Sequence, residues 1–207
     1  MAKKKKNEDK IGLHIGCGSH VLDGWLNTDI FPEDERIRFL DATMPFPYEE
    51  ETFKYIFCEH MFEHVPYVGG RNMLNECYRV LKPGGVLRMT MPTLNFLVNI
   101  YLNKEEQDNK EYIEWAFKKF VWGERKPEIK GSKVCFVINN FYRNWGHRML
   151  YDEDTVIEML ENAGFKEIKK VSNTDSEYPE LKNVNGHRYA IGDKFNDIES
   201  TTFEAKK

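Results

Sequence analysis

Two glycines at the end of a short apolar run, Gly16 and Gly18, constrain the fold of this chain most. They follow residues 13–15, Leu-His-Ile, and such glycines suit a strand that ends in a tight turn where a ligand approaches bare backbone. Eleven residues later the segment Trp-Leu-Asn-Thr-Asp ends at Asp29. An acidic side chain at the end of the next strand can accept hydrogen bonds from a ribose diol. The pair predicts a nucleoside-containing cofactor on an α/β sheet.

The hydrophobic pattern predicts strands and helices in alternation. Strands are predicted at Ile11–Ile15, Trp25–Ile30, Arg36–Leu40, Lys54–Cys58, Val86–Met91, Phe165–Val171 and Thr201–Lys206. Helices are predicted over Asn72–Leu81, over Thr93–Trp122 with a polar interruption, and over Asp152–Ala163. This order is typical of a Rossmann-like, doubly wound, mostly parallel seven-stranded sheet that binds ligands at its carboxyl edge. Residues 94–150 are predicted to form a helical lid inserted after strand 5.

Length and composition bound the class of protein. With 207 residues and 41% hydrophobic content, residues 11–207 suit one domain that follows a basic, disordered tail over residues 1–10. The modest net charge of −4 argues against a nucleic-acid partner. No leader peptide is expected, because no apolar stretch follows the lysines of residues 3–6, and no membrane span is expected, because no apolar run reaches ~20 residues. The four cysteines are far apart, which favours reduced thiols and a cytoplasmic location.

Several blocks, in order along the chain, resemble the small type 11 group of class I S-adenosylmethionine-dependent methyltransferases. The blocks are His-Ile-Gly-Cys-Gly (14–18), Leu-Asn-Thr-Asp (26–29), Leu-Asp-Ala (40–42) leading to Met-Pro-Phe (44–46), Tyr-Ile-Phe-Cys-Glu-His-Met-Phe-Glu-His-Val (55–65) and Glu-Cys-Tyr-Arg-Val-Leu-Lys-Pro-Gly-Gly-Val-Leu (76–87). The likeness covers residues 11–92 and, more loosely, the helix and strands after residue 150. One such block is a weak signal, but the ordered set is specific.

The resemblance implies S-adenosyl-L-methionine as the cofactor and assigns residues to it. The backbone at Gly16 and Gly18 would approach the methionine part, Asp29 would bind the ribose hydroxyls, and Asp41 would face the adenine amino group. The implied cofactor-binding set is Gly16, Cys17, Gly18, Asp29, Ile30, Asp41, Ala42, Cys58 and Glu59. Within it, Cys58 and Glu59 would lie near the sulfonium, at the end of strand 4.

Three features depart from the pattern of this group. His20 stands at the third glycine of the usual loop, and His14 replaces the usual acidic residue before Ile-Gly. Eleven residues from Gly18 to Asp29 are too few for a crossover helix and a strand, so the first helix is expected to be one turn or absent. The alternative that these departures leave open is a non-catalytic protein that binds the cofactor or a partner.

Two other motif interpretations are less favoured. A dinucleotide site needs Gly-x-Gly-x-x-Gly with an acidic residue about 20 positions on, but Val21 occupies the third glycine position and Asp29 comes too early. His60 to His64 reads His-x-x-Glu-His, which matches an inverted zincin signature. Pro66 disfavours helix at Val65, and the methyltransferase pattern already accounts for the segment. No bound metal is therefore expected.

The polar-aromatic stretch Asn139–Tyr151 supplies candidates for the acceptor side. Related methyltransferases often have a similar stretch over the acceptor pocket, which makes Tyr142, Arg143, His147 and Tyr151 candidates. The alternative is that the aromatic residues only pack the insertion. His147 and His60 are candidate bases because an imidazole titrates near neutral pH. The predicted catalytic set is His147, Tyr151 and His60. The acceptor is expected to be a small molecule, such as a sugar or surface-glycan precursor, since no Asn-Pro-Pro-Tyr type motif of DNA methylation is present.

Overall fold

The computed structural model describes residues 10–121 and 129–207. The predicted basic tail therefore lies outside the described residues, except for Lys10. The strands are β1 Gly12–Ile15, β2 Leu26–Asp29, β3 Ile37–Phe39, β4 Phe53–Glu59, β5 Leu81–Pro92, β6 Lys166–Val171 and β7 Ser200–Lys206. The α-helices are α1 Tyr67–Val80, α2 Leu94–Leu102, α3 Gln107–Phe120, α4 Val134–Arg143, α5 Glu153–Ala163, α6 Arg188–Ile191 and α7 Asp193–Glu199.

Within the described residues the strands form one sheet in the order β3-β2-β1-β4-β5-β7-β6. Strand β7 runs antiparallel to β5 and β6, whereas the pairs on the β1 side of the sheet are parallel. Strand β1 is buried along its whole length, as expected for a parallel strand whose two faces are both covered. The prediction of a mostly parallel, seven-stranded, Rossmann-like sheet with a helix after strand 5 is confirmed.

Helices α1 and α5 cover one face of the sheet. Their apolar side chains pack against alternate residues of the central strands in the main core, among them Met73, Leu74, Val80, Val156 and Leu160 on the helices and Leu13, Ile56, Leu87 and Phe203 on the sheet. Helix α5 begins and ends as its sequence indicates. The carboxylate of Asp152 accepts a hydrogen bond of 2.7 Å from Thr155 N, and Gly164 takes a left-handed conformation with φ +104° after the last turn.

The opposite face of the sheet has no crossover helix from the first half of the chain. Residues 16–52 are all described and form no helix, which confirms the expected loss of the first helix. The segment 172–187 covers this face instead, where its Leu181 and Val184 pack with Trp25 and Phe57. A late segment of the chain thus replaces the missing helices.

Arg88 of β5 holds this covering segment onto the sheet. It is fully buried, and its guanidinium forms an ion pair of 2.7 Å with Glu204 of β7. It also donates to Asn185 Oδ1 at 3.0 Å and to the carbonyl oxygens of Ser172, Asn173 and Asp175. A buried charge is tolerated only when it is paired and hydrogen-bonded, and these contacts meet that condition.

The insertion after β5 has an apolar core of its own. Helices α2, α3 and α4 bury a set of side chains that includes Phe96, Ile100, Tyr112, Phe117, Val137 and Phe141. The helical stretch predicted over Thr93–Trp122 forms two helices that are separated at residues 103–106, within the predicted polar interruption, and Trp122 lies outside the described residues. Helix α4 overlaps the stretch Asn139–Tyr151, so Phe141 belongs to this core. None of the described helices is long and apolar enough to cross a membrane.

Candidate cofactor site and its surroundings

Strand β1 ends in a turn that both glycines of the first motif require. Gly16 and Gly18 have φ of +66° and +49°, a left-handed conformation in which residues with a Cβ are strained. A Cβ on Gly16 would lie 2.2 Å from Cγ of Met61, whereas a Cβ on Gly18 would meet nothing within 4 Å. Met61 therefore packs against the inner glycine, and the backbone at Gly18 faces open space.

Asp29 at the end of β2 organises the same turn. Its carboxylate accepts hydrogen bonds of 2.9 Å from Gly18 N and from Phe31 N. The side chain is only partly buried, so the carboxylate remains accessible for a further donor. The predicted juxtaposition of the glycine turn and the acid that follows β2 is present in the structure.

The residues after β3 meet the same edge of the sheet. Asp41 accepts hydrogen bonds from Thr43 N at 2.9 Å and Thr43 Oγ1 at 2.7 Å, both at Oδ1, while its Oδ2 makes no hydrogen bond with the described residues. Ala42 is buried in the main core, and Ile30 is exposed. Because β3, β2, β1 and β4 are neighbours in the sheet, these loops lie side by side at its carboxyl edge.

Cys17 and Cys58 both have buried side chains. Cys58 belongs to the main core, and burial raises its pKa well above the usual value. Burial, reinforced by Asp29, raises the pKa of Cys17 to about 11. Both thiols are therefore protonated at neutral pH, and a ligand at this edge would meet their backbone rather than their sulfur.

Glu59 at the end of β4 faces the covering segment. Its Oε2 accepts hydrogen bonds from Gly186 N at 2.7 Å and His187 N at 3.1 Å. Its Oε1 is buried and has no hydrogen-bond partner in the described structure. A buried acceptor of this kind normally has a donor. A bound molecule with a donor group would therefore satisfy Glu59 Oε1.

His14 and His20, which depart from the usual glycine-loop pattern, lie on the side of the sheet that the segment 172–187 covers. His14 is buried against Phe57, with ring centroids 4.9 Å apart, and its Nδ1 lies 3.1 Å from Asn27 Oδ1. Burial lowers the pKa of His14 to about 3, so the ring is neutral. His20 Nε2 lies 3.1 Å from Val184 O. His20 therefore contacts the segment 172–187 directly, and His14 packs against Phe57, which lies in the same apolar cluster as Leu181 and Val184.

Gly186→Ala tests this fit. A Cβ there would lie 2.2 Å from His20 Nδ1, so we expect the free energy of unfolding to fall by about 1–3 kcal/mol through overpacking. Urea denaturation measures the change, and Gly131→Ala, whose Cβ would meet nothing within 4 Å, is the matched control. The double variant Gly186→Ala/His20→Ala should lose less than the sum of the single losses. Additive losses would show that the two residues do not clash.

His60 follows β4 in a left-handed conformation with φ +46°. This conformation is uncommon for a residue with a Cβ, and residues that adopt it cluster at functional sites. Its ring stacks on that of His187 at 3.9 Å, and its Nε2 lies 2.9 Å from Ser200 Oγ. Burial acts to lower the pKa of His60, but the carboxylate of Glu63, 3.4 Å from Nδ1, outweighs burial and raises it. The ring therefore favours the charged form.

The other catalytic candidates are placed differently from one another. His147 lies against the segment that follows β4, with its ring centroid 4.9 Å from that of His64. Tyr151 is 1% exposed and stacks on Phe62 in the main core. The ring of Tyr151 is therefore buried beneath α1, its hydroxyl has no hydrogen-bond partner in the described structure, and its place beside an acceptor stays a prediction. Tyr142 and Arg143 are exposed at the end of α4.

The sequence motif His-x-x-Glu-His does not form the helical pair of a zincin. Residues 62–64 form a single 3-10 turn before Pro66, as the proline predicts. His60 lies with His187 and Glu199, while His64 lies with Glu63 and His147. No local pattern indicates His187 or Glu199, which lie 127 and 139 residues beyond His60 along the chain.

Comparison with known proteins finds similarity to methyltransferases over part of the chain and in its fold. Residues 26–89 match the family model described as a methyltransferase domain. Three of the similar solved structures span the whole chain: an S-adenosylmethionine-dependent methyltransferase from Archaeoglobus fulgidus (TM-score 0.50, 14% identity, 100% of this chain and 90% of that one), a putative methyltransferase from Bacillus halodurans (0.50, 16%, 100% and 97%), and phosphoethanolamine N-methyltransferase 2 from Haemonchus contortus in complex with S-adenosyl-L-methionine (0.50, 14%, 100% and 52%). No curated protein matches the chain.

These findings confirm the resemblance to class I methyltransferases that the sequence blocks indicated. Every block from Leu26–Asp29 onward lies inside the matched range, and the glycine turn at residues 16–18 precedes it. The solved structures share the fold. Residues 26–89 thus match a methyltransferase domain, and the chain as a whole shares the fold of these solved methyltransferase structures.

Proposed function

We propose that this protein transfers a methyl group from S-adenosyl-L-methionine to a small-molecule acceptor, of the class of sugars or surface-glycan precursors. The observation that carries the proposal is the glycine turn hydrogen-bonded to Asp29. Gly18 N lies 2.9 Å from the Asp29 carboxylate, and the space beside Gly18 is open. Bare backbone next to an accessible carboxylate suits the methionine part and the ribose diol of the cofactor.

The hydrogen-bond acceptors at this edge of the sheet suit the chemical groups of the cofactor. Asp29 would accept from the ribose hydroxyls, and the free Oδ2 of Asp41 would accept from the adenine amino group. Glu59 Oε1, buried without a donor, places negative charge at the end of β4, which suits a cationic sulfonium. When bound, the cofactor supplies an electrophilic methyl group, and the chain contributes orientation and exclusion of water.

His147 is the residue that we assign to the acceptor side. Its Nδ1 lies 2.6 Å from Phe141 O, and a carbonyl oxygen only accepts, so Nδ1 carries the proton and Nε2 keeps its lone pair. Burial lowers the pKa of His147, which keeps that lone pair available at neutral pH. His60, with its raised pKa and its partners on both ring nitrogens, is less suited to accept a proton. The insertion that carries His147 is proposed to close over the methyl donor.

Calorimetric titration with S-adenosylhomocysteine tests the cofactor site, and Gly18→Ala is the variant. A Cβ at position 18 would enter the open space of the turn, and we expect about tenfold or greater loss of affinity from steric conflict. Gly84→Ala is the matched control, because Gly84 also has a positive φ of +72° and no atom within 4 Å of its Cβ. It carries a similar backbone cost far from the site and should bind normally. Equal affinity of the two variants would contradict the assignment.

A methyl-transfer screen tests the reaction itself. Radiolabelled S-adenosyl-L-methionine is offered with sugars, nucleotide sugars and other small acceptors, and the methylated product is identified. His147→Ala should keep cofactor affinity while turnover falls. Cofactor binding with no turnover of any acceptor would support the non-catalytic alternative.

A further inference from the structure

Three metal-binding side chains converge beside the carboxyl end of β4. One ligand atom from each of Glu63, His64 and His147 lies within 4.8 Å of the other two. Arg148 N and Met149 N donate backbone hydrogen bonds of 2.8 Å and 3.2 Å to Glu63 O. These bonds hold the chain next to His147 close to Glu63. Ligand atoms bound at 2.0–2.1 Å to tetrahedral zinc are about 3.3 Å apart, so small side-chain rotations would complete such a site.

Glu63 is the most unusual member of this cluster, because its carboxylate is buried without hydrogen-bond donors. The residue is 0% exposed, and neither Oε1 nor Oε2 accepts a hydrogen bond within the described structure. His60 Nδ1 lies 3.4 Å from Oε1 of Glu63, and Oε2 has no hydrogen-bond partner in the described structure. Buried carboxylates in proteins are normally paired and hydrogen-bonded or coordinate a metal, so this side chain suits a metal ligand.

The two histidines present free nitrogens to the same place. His147 donates its Nδ1 proton to Phe141 O at 2.6 Å, which leaves Nε2 as an acceptor. Histidines that bind metals usually donate their other ring N–H to a carbonyl or carboxylate in this way. The ring nitrogens of His64 make no hydrogen bond with any described residue, and the ring lies edge-on to His147 at 4.9 Å.

The neighbouring cluster of His60, His187 and Glu199 does not share these features. His187 Nε2 lies 2.7 Å from Glu199 Oε1, and Tyr112 donates its hydroxyl to Glu199 Oε2. The Nε2 atom of His60 is partnered by Ser200. Both oxygens of Glu199 and the Nε2 atoms of both histidines therefore have partners in the described structure, so no buried group of this cluster calls for a cation.

We propose that Glu63, His64 and His147 bind a divalent transition-metal ion, zinc being the probe of choice. Two imidazoles and a carboxylate are a ligand set that zinc accepts in catalytic sites, with a fourth position left for water or substrate. With the ion bound, His147 Nε2 would be a ligand and could not also accept a proton from the acceptor. An acceptor hydroxyl bound at the ion would lose its proton to solvent more readily. That role rests on the proposed function, whereas the binding of the ion does not. The prediction that no metal is bound rests on the motif that contains His60 and His64. His147 lies 83 residues beyond His64, so that motif does not include it.

Zinc titration of the full chain, freed of metal by a chelator and measured without cofactor, tests the site. We expect one ion per chain, and cobalt as a spectroscopic substitute should show the visible absorption of a site with histidine ligands. His147→Ala and His64→Ala should each weaken zinc binding about tenfold or more. Circular dichroism tests whether each variant is folded. Weaker zinc binding by either folded variant is sufficient to support the proposal.

His187→Ala is the matched control, since it removes a histidine from the second cluster and should leave zinc affinity unchanged. The proposal is overturned if the parent chain binds no stoichiometric zinc, or if folded His147→Ala and His64→Ala both bind it as the parent does. Loss of zinc in His187→Ala would equally overturn it, because that result assigns the ion to the second cluster. Cofactor affinity is measured separately, so failure here does not bear on the methyltransferase assignment.

Discussion

Replacing Arg88 with alanine is expected to lower the free energy of unfolding by about 3–5 kcal/mol, because it leaves a buried carboxylate without its partner. Glu204 would lose a guanidinium 2.7 Å away. Asn185 and three backbone carbonyls of the covering segment would also lose their donor. We expect the segment 172–187 to detach before the rest of the sheet unfolds. Urea denaturation and hydrogen exchange of this segment measure the two effects.

Arg36→Ala is the control for this prediction. Arg36 also forms a close ion pair, with Asp34 at 2.7 Å, but on the protein surface, with side chains 60% and 35% exposed. Exposed pairs contribute little to stability, so the control should unfold nearly as the parent does. An Arg88→Ala variant as stable as Arg36→Ala would show that the covering segment is held by its apolar contacts with Trp25 and Phe57 instead.

The strands and helices could be predicted from the sequence because their signals are local. An apolar run predicts strand β1, and Asp152 and Gly164 predict the two ends of helix α5. The short separation of Gly18 and Asp29 in the sequence predicts the loss of the first helix. Helix α1 begins at Tyr67, five residues before the predicted start at Asn72. Gly69 and Gly70 disguise this first turn, since glycine disfavours helices. Tertiary packing explains their presence, because a Cβ on Gly70 would approach Phe62 to 3.0 Å.

The surroundings of the site could not be predicted, because they join residues that are distant in sequence. The contact of His20 with Gly186 spans 166 residues, and no local pattern indicates that a late segment fills the place of a missing helix. The sequence left open whether Tyr151 packs in the core or faces an acceptor, for a related reason. The polar residues Asp152 and Glu153 follow it, but the chain lies against the core at this point, where Leu94 N donates to Tyr151 O at 2.8 Å.

Asp29→Ala is expected to weaken the binding of S-adenosylhomocysteine about a hundredfold. Loss of charge-assisted hydrogen bonds to the ribose contributes roughly 1.5–3 kcal/mol, or about ten- to a hundredfold in affinity. The structure adds a second contribution. The same carboxylate holds Gly18 N and Phe31 N, so the glycine turn loses its order together with the ribose contact, and the loss should reach the upper end of that range.

Asp34→Ala is a close control, because Asp34 carries the same charge five residues along the chain. Its carboxylate also accepts from the backbone N–H two residues on, Arg36 N at 2.8 Å, as Asp29 does from Phe31. It lies in the loop beyond β2 rather than at the end of the strand. Calorimetry on both folded variants should therefore show normal affinity for Asp34→Ala and a large loss for Asp29→Ala. Equal affinities would mean that the acidic residue after β2 does not hold the ribose, and the cofactor site would have to be sought away from the glycine turn.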